Sequence, residues 1–147
     1  MQHILVVCIG NICRSPIAEA LLRQKLPAKT IESAGLAALV GEPADPESVA
    51  VAADHGFDLS AHRAQQVTGW MCAHADLVLV MESSHQQALQ RLYPTAYGKI
   101  RRLGELPQQR TFEIVDPYRK PRAAFKAAYA AISQGVDEWV RRIQLVS

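Results

Sequence analysis

Short apolar runs alternate with amphipathic stretches along this chain. Continuous or β-branched apolar runs predict buried strands over about 4–7, 29–34, 76–81 and 99–103. The intervening segments, with their apolar spacing and their start and stop residues, predict helices over about 16–26, 45–55, 65–75, 83–93 and 122–144. Strands that alternate with helices predict βαβ units with right-handed crossovers. We therefore expect residues 1–147 to form a single α/β domain, a three-layer sandwich in which helices cover both faces of a four-stranded parallel sheet.

Composition narrows the class of protein. The chain has 147 residues, of which 49% are hydrophobic and 20% charged, as in an ordinary globular enzyme. No apolar run approaches the roughly 20 residues of a membrane span, and Met1 to His3 lead straight into a strand without a signal peptide. We expect a cytoplasmic protein without membrane insertion. The net charge of +2 is too small for a nucleic-acid footprint.

Cysteine usage agrees with a reducing compartment. The three cysteines are Cys8, Cys13 and Cys72, an odd number that offers no disulfide framework. They also lack the paired Cys-X2-Cys spacing of zinc sites. We therefore predict no metal site.

The junction between the first strand and the first helix carries the clearest chemical signal. Gly10 and Asn11 tolerate left-handed backbone and predict a tight loop after the strand. Ser15 is the predicted N-cap of the helix, with Pro16 at its first position and Glu19 in its first turn. Successive N–H groups that run into a helix N-terminus form a concave oxyanion site, which would fit a phosphate.

Two side chains of this loop add reactivity to the anion site. Arg14 supplies a planar fork that can hold two phosphate oxygens at once. Cys8 ends the strand, so its sulfur would lie beneath the anion, where positive charge favours the nucleophilic thiolate. Ser15 could donate a hydroxyl hydrogen bond to that sulfur. A structural alternative is that Cys8 is only a small buried apolar residue.

The segment Cys8-Ile-Gly-Asn-Ile-Cys-Arg14-Ser15-Pro16 resembles the signature loop of the low-molecular-weight protein tyrosine phosphatases. The resemblance covers essentially the whole chain, because further segments follow in the family's order: Glu32 to Gly35, His62-Arg63, the 76–81 strand and Asp116 to Lys120. The stretches 35–41 and 116–120 are especially similar to the bacterial branch that is encoded with capsule and exopolysaccharide machinery.

This resemblance implies a flavodoxin-like fold and a metal-independent hydrolysis of phosphotyrosine through a phosphocysteine, with inorganic phosphate as product and no cofactor. It implies that Cys8, Arg14 and Asp116 are catalytic, and that a hydrogen-bond network holds the loop. The implied phosphate-binding residues are Ile9, Gly10, Asn11, Ile12, Cys13, Arg14 and Ser15, and the implied supporting residues are Asn11, Ser15, Ser33 and His62. Oxidised Cys8 would be captured as a disulfide by Cys13, whose alternative role is packing beneath the loop. The implied partner is a membrane tyrosine autokinase of polysaccharide export.

Two long loops are predicted to border the phosphate site. Residues 36–46 and 104–120 lack periodicity, and the second loop contains Asp116. Cleavage of a phosphate ester needs a proton on the leaving oxygen, which a carboxylic acid on such a loop can supply. The candidates for contact with a substrate ring are Ile12, Leu36, Leu39 and Tyr118. The two leucines could equally cover the core, and the cluster Arg119-Lys120-Pro121-Arg122 could recruit an acidic substrate or simply form a solvated face.

Three other functions compete with tyrosine phosphatase. Arsenate reductases have a similar loop but need additional redox cysteines downstream, where this chain has only Cys72. Protein-arginine phosphatases of bacteria typically have Thr where Ile12 stands, so Ile12 favours tyrosine. A non-catalytic phosphate-binding module would need neither Cys8 nor Asp116.

Overall fold

The computed structural model describes residues 1–107 and 110–146. Strands and helices alternate over most of the chain, with a 3-10 turn at Pro94–Lys99. The elements are β1 (His3–Cys8), α1 (Arg14–Lys25), β2 (Thr30–Gly35), α2 (Pro46–Asp54), α3 (Gly69–His74), β3 (Leu77–Val80), α4 (Ser83–Leu92), β4 (Ile100–Arg102) and α5 (Arg122–Val146).

All four strands are parallel, in the order β2-β1-β3-β4. In the register of the sheet, Val7 pairs with Ala34 on one side and with Val80 on the other. The chain builds outward from β1 in one direction and then from β3 in the other, so the order reverses between these two central strands. Ligands of open parallel sheets bind at such a reversal, outside the carboxyl ends of the strands. Cys8, the last residue of β1, lies at this position.

Alternate residues of the central strands face two separate cores. Ile4, Val6 and Cys8 of β1 belong to a cluster that α1, α2 and α5 complete. Leu5 and Val7 belong to a second cluster with residues of α3 and α4. The side chains of a strand point alternately to its two faces, so the sheet is covered by helices on both sides. The predicted α/β fold, a four-stranded parallel sheet between two helical layers, is confirmed.

The long C-terminal helix provides much of the first core. The predicted apolar stripe of α5 is buried, and its members are Phe125, Tyr129, Ile132, Val136, Trp139 and Ile143. Spacings of three and four residues place these side chains on one face, which packs against α1 and α2. No helix of the described ranges is long and apolar enough to cross a membrane.

Several helix starts differ from the predictions. Helix α1 begins at Arg14 with Cys13 as N-cap, so Ser15 is not the cap and Glu19 lies beyond the first turn. The Ser15 hydroxyl bonds to other side chains of the loop, which makes it unavailable for capping. Helix α2 does begin as predicted, because the Asp45 carboxylate accepts a hydrogen bond from the Glu47 N–H at 2.8 Å and Pro46 follows at the first position.

Two further helices are shorter or start earlier than predicted. The predicted helix over 65–75 is limited to Gly69–His74, because Gln65 and Gln66 instead run beside the end of β2 as an isolated bridge to Gly35. The N-cap of α4 is Glu82, without a side-chain cap bond, rather than Ser83 or Ser84. The carboxylate of Glu82 instead accepts a hydrogen bond from Arg14.

Candidate active site

Every backbone carbonyl from Cys8 to Cys13 accepts a hydrogen bond from outside the β1–α1 loop. The carbonyls of Cys8, Ile9 and Gly10 bond to N–H groups of the loop after β2, at 2.9 to 3.1 Å. The remaining three bind His62 Nε2 at 2.6 Å, the Asp45 N–H at 2.9 Å and the Ser48 hydroxyl at 3.1 Å. A carbonyl only accepts, so His62 carries its proton on Nε2.

This outward arrangement of the carbonyls determines where the amides of the loop point. Within a peptide unit the C=O and the N–H point in opposite directions, so the N–H groups of residues 9–14 face the inside of the loop. Among the described residues, no acceptor binds the N–H groups of residues 9–13. Together with the N-terminus of α1, they form a concave donor site that fits an oxyanion.

Asn11 braces the loop from within. Its backbone is left-handed, with φ of 59°. Gly10, which was also expected to be left-handed, does not have a positive φ. The fully buried side chain donates to the hydroxyls of Ser15 at 2.8 Å and Ser33 at 3.0 Å, and accepts from the Gln65 N–H at 2.9 Å. Both amide protons and the amide oxygen of this side chain therefore support the loop.

Cys8 and Ser15 are in direct contact beneath the concave donor site. The distance from Cys8 Sγ to Ser15 Oγ is 2.9 Å, and both residues are buried. Since Asn11 already donates to Ser15 Oγ, the hydroxyl proton of Ser15 is free to point at the sulfur. The arrangement can stabilise negative charge on Cys8.

The guanidinium of Arg14 is fixed at one end and open at the other. Its Nη1 donates to Glu82 Oε2 and to the Ile114 carbonyl, both at 2.7 Å, and the side chain is only 2% exposed. Its buried Nε has no partner among the described residues, and Nη2 lies 3.7 Å from Asp116 Oδ2. Two charged donors thus remain available for an anion.

His85 lies behind this ion pair, with Nε2 at 3.3 Å from Glu82 Oε2. Burial lowers the pKa of His85, and the nearby Arg14 cation lowers it further. The ring is accordingly neutral at neutral pH, and the partner of Glu82 that carries charge is Arg14.

Asp116 is held at the mouth of the site. Its Oδ1 accepts from the Tyr118 N–H at 3.0 Å, and its side chain is 45% exposed. The Asp-Pro-Tyr turn therefore presents one carboxylate oxygen toward Arg14 while the other oxygen fixes the rotamer. A carboxyl group at this place can exchange protons with a bound ester and with water.

A cleft of about 180 Å³ opens beside the loop. Ile9, Gly10, Ile12, Cys13, Ala37, Leu39, Asp116 and Tyr118 line it. Three of the four predicted ring contacts are among them. Leu36 is not, because it packs against the second core cluster on the far face of the sheet. Leu36 begins the turn after β2, two residues beyond Ala34, and packs with Ala34 in that cluster.

Cys13 lies in the wall of the cleft and is 5% exposed. Burial raises the pKa of its thiol to about 12, and the neighbouring Asp45 carboxylate adds to the shift. Cys13 is therefore a protonated thiol at neutral pH, and both it and Cys8 are reduced in this structure.

Four supporting residues were not found from the sequence. Glu82 anchors Arg14, Ser48 and Gln65 bind the loop, and Glu19 accepts a hydrogen bond from the Ser33 hydroxyl. Only Glu82 had a usable signal, because it lies two residues after β3, at the edge of the sheet where ligands bind.

A parallel α/β sheet with a cysteine, an arginine and a donor-lined loop at its switch point defines a class, the cysteine-dependent phosphatases. Residues 3–146 match the family described as low molecular weight phosphotyrosine protein phosphatase, and the chain belongs to this family. It is a protein-tyrosine-phosphatase. The probable low molecular weight protein-tyrosine-phosphatase EpsP of Ralstonia nicotianae is 55% identical over 144 residues, which cover 98% of this chain and 97% of that protein.

Solved structures agree with this assignment. Wzb of Vibrio vulnificus in complex with benzylphosphonate superimposes with a TM-score of 0.91 at 41% identity, covering 96% of this chain and 98% of that one. The YwlE arginine phosphatase of Geobacillus stearothermophilus gives a TM-score of 0.92 at 32% identity, covering 99% and 94%. The fold alone therefore does not distinguish a phosphatase for phosphotyrosine from one for phosphoarginine.

Proposed function

We propose that Cys8 attacks the phosphorus of a phosphotyrosine while Asp116 protonates the departing tyrosyl oxygen. The S–P bond forms as the P–O bond breaks, which leaves a phosphocysteine and a free tyrosine. The inward N–H groups of the loop and the two open donors of Arg14 stabilise the charge on the equatorial oxygens. The observation that carries this proposal is the contact of 2.9 Å between Cys8 Sγ and Ser15 Oγ at the base of the donor-lined loop.

The second step returns the enzyme to its starting state. The Asp116 carboxylate removes a proton from water, which attacks the phosphorus and releases inorganic phosphate. The Cys8 sulfur leaves as a thiolate, and the hydroxyl proton of Ser15 stabilises it. The loop-supporting side chains of Asn11, Ser33 and His62 keep the donors in place through both steps.

The ring of the substrate would occupy the cleft between Ile12, Leu39 and Tyr118. We further propose that the protein acts in the cytoplasm on a membrane tyrosine autokinase that controls the synthesis and export of exopolysaccharide or capsule. The support for this partner is the resemblance of stretches 35–41 and 116–120 to the polysaccharide-associated branch of the family.

A second candidate substrate is phosphoarginine, since an arginine phosphatase shares the fold over nearly the whole chain. The apolar Ile12 side chain in the cleft favours an aromatic ring over a guanidinium. Release of phosphate from a phosphotyrosine peptide and from a phosphoarginine peptide, both with EDTA present, distinguishes them. We expect tyrosine-selective release, while arginine-selective release would refute the assignment of substrate.

Variants of the two reacting side chains test the mechanism in the same assay. Cys8→Ser should abolish turnover and still bind inorganic phosphate. Asp116→Ala should lower kcat by about 100-fold, as is typical for the loss of a general acid, and by less for esters with good leaving groups. An Asp116→Ala effect that is the same for all leaving groups would remove Asp116 from the role of proton donor.

A further inference from the structure

Two exposed cations follow the turn that borders the cleft. Arg119 and Lys120 follow directly after Tyr118, which lines the cleft, and both are exposed. Within the described part of the chain neither forms an ion pair with a carboxylate. The next cation along the chain, Arg122, does pair with Glu47, at 2.5 Å. We refer to Arg119 and Lys120 as the basic lip.

The side chain of Arg119 lies over the ring of Tyr118, which lines the cleft. Its guanidinium carbon lies 5.2 Å from the centroid of the Tyr118 ring, within the range of a cation–π interaction. The Tyr118 N–H in turn bonds to Asp116 Oδ1. Arg119 therefore holds its charge beside Tyr118, next to the place where a substrate ring would lie.

The backbone of Arg119 is unusual for its residue type. Its φ is 63°, in the left-handed region that favours Gly or Asn over residues with long side chains. The turn is closed by a hydrogen bond of 2.9 Å from the Lys120 N–H to the Pro117 carbonyl. The protein thus accepts a strained backbone at a position where a charged side chain projects next to the active site.

We propose that the basic lip binds acidic residues adjacent to the phosphotyrosine, so that the preferred substrates are phosphotyrosine segments with Glu or Asp flanks. This inference rests on the proposed function of the same site. Charge complementarity supports it, because Arg119 lies over a residue that lines this mostly apolar cleft and Lys120 follows it in the chain. Neither cation pairs with a carboxylate of residues 1–107 and 110–146. An exposed ion pair strengthens binding by about 1.5- to 5-fold, and two such pairs act together.

A pair of isosteric peptides provides the test. One carries phosphotyrosine flanked by Glu, and the other has Gln at the same positions. We expect kcat/KM for the Glu peptide to exceed that for the Gln peptide by about fivefold at low salt. The preference should shrink toward unity in about 1 M salt, where charges are screened beyond about 3 Å.

Variants test whether Arg119 and Lys120 cause the preference for the Glu peptide. Arg119→Gln and Lys120→Gln should each reduce the ratio of the two kcat/KM values, and Arg119→Lys should keep most of it because the charge remains. The matched control is Arg91→Gln, which removes one exposed charge from the last turn of α4, about 13 Å along that helix from Glu82, and should leave the ratio unchanged.

Each outcome bears on a different part of the argument. Equal turnover of both peptides by the unmodified protein would overturn the basic lip and leave the tyrosine phosphatase mechanism intact. An equal loss of preference in Arg91→Gln and Arg119→Gln would also overturn it, because net charge would then explain the effect. If neither peptide were hydrolysed, the proposed function and the lip would fail together.

Discussion

Glu82 illustrates how a single residue determines the geometry of the site. Its carboxylate binds Arg14 Nη1 at 2.7 Å, and the Ile114 carbonyl binds the same nitrogen, so the guanidinium cannot rotate. The Nε and Nη2 donors are consequently left for the substrate. Binding of two phosphate oxygens by the planar guanidinium requires such a fixed orientation.

We predict that Glu82→Gln lowers kcat/KM by about tenfold, because a charge-assisted hydrogen bond to Arg14 is replaced by a weaker neutral one. Affinity for inorganic phosphate should fall with it. Steady-state kinetics and phosphate binding measure the two effects. The control is Glu113→Gln, which removes a carboxylate that binds the Ser83 N–H instead of Arg14. Equal losses in the two variants would contradict a specific role of Glu82.

Cys13 allows a prediction about oxidation. With its pKa raised to about 12 by burial, Cys13 stays a thiol, so the cysteine that peroxide would oxidise is the nucleophile Cys8 at the base of the donor-lined loop. Oxidation of Cys8 to a sulfenic acid followed by condensation with Cys13 would release water and form a disulfide. We predict that Cys13→Ser makes inactivation by peroxide irreversible by added thiol.

The pH dependence of this capture has a definite sign. Because only the thiolate attacks and burial holds the pKa of Cys13 high, the rate of disulfide formation should rise with pH across the neutral range. Recovery of activity after peroxide treatment, measured at several pH values in the two proteins, tests both statements. Equal recovery in Cys13→Ser and the unmodified protein would exclude the disulfide.

At the scale of elements, the end of β2 and the loop after it determine the position of the phosphate loop. The N–H groups of Leu36, Ala37 and Leu39 bind the carbonyls of Cys8, Ile9 and Gly10. These three hydrogen bonds require the backbones of the two loops to lie close together. A Cβ on Gly35 would come closer than 3.0 Å to the Ile9 carbonyl oxygen. Gly35 is therefore needed for its lack of a side chain.

Gly35→Ala should accordingly destabilise the protein by about 1–3 kcal/mol, the usual cost of overpacking, and weaken phosphate binding by displacing the loop. Denaturant unfolding and phosphate titration are the measurements. Gly98→Ala serves as control, since nothing lies within 4 Å of a Cβ at that position. A Gly35→Ala variant as stable as Gly98→Ala would refute the close-approach argument.

The strands and helices were largely predictable because their apolar periodicities are continuous, as in β1 and α5. Helix starts were less predictable. Ser15 is a good capping residue in isolation, but its hydroxyl contacts Cys8 and Asn11. Glu82 precedes α4, but its carboxylate binds Arg14 instead of capping the helix. Local propensity is a weak guide wherever a polar side chain has a distant partner.

At the scale of the whole molecule, the parallel sheet assembles a site from distant parts of the chain. Cys8 and Arg14 come from the β1–α1 loop, Glu82 follows β3, and Asp116 lies on the loop before α5. The sequence located the loop itself, since its residues are contiguous. It could not give the Arg14 contacts to Glu82 and Ile114, which span 68 and 100 residues and depend on the order of the strands.

The proposed mechanism requires Cys8 to carry the phosphoryl group between the two steps. Rapid quenching of the enzyme during turnover of a phosphotyrosine peptide, followed by mass spectrometry of its proteolytic fragments, tests it directly. In the Asp116→Ala variant more phosphocysteine should be present at the time of quenching, because the missing base slows hydrolysis of this intermediate. We predict one phosphoryl group on the fragment that contains Cys8, and none in Cys8→Ser. A phosphoryl group on another residue, or turnover by Cys8→Ser, would contradict the account.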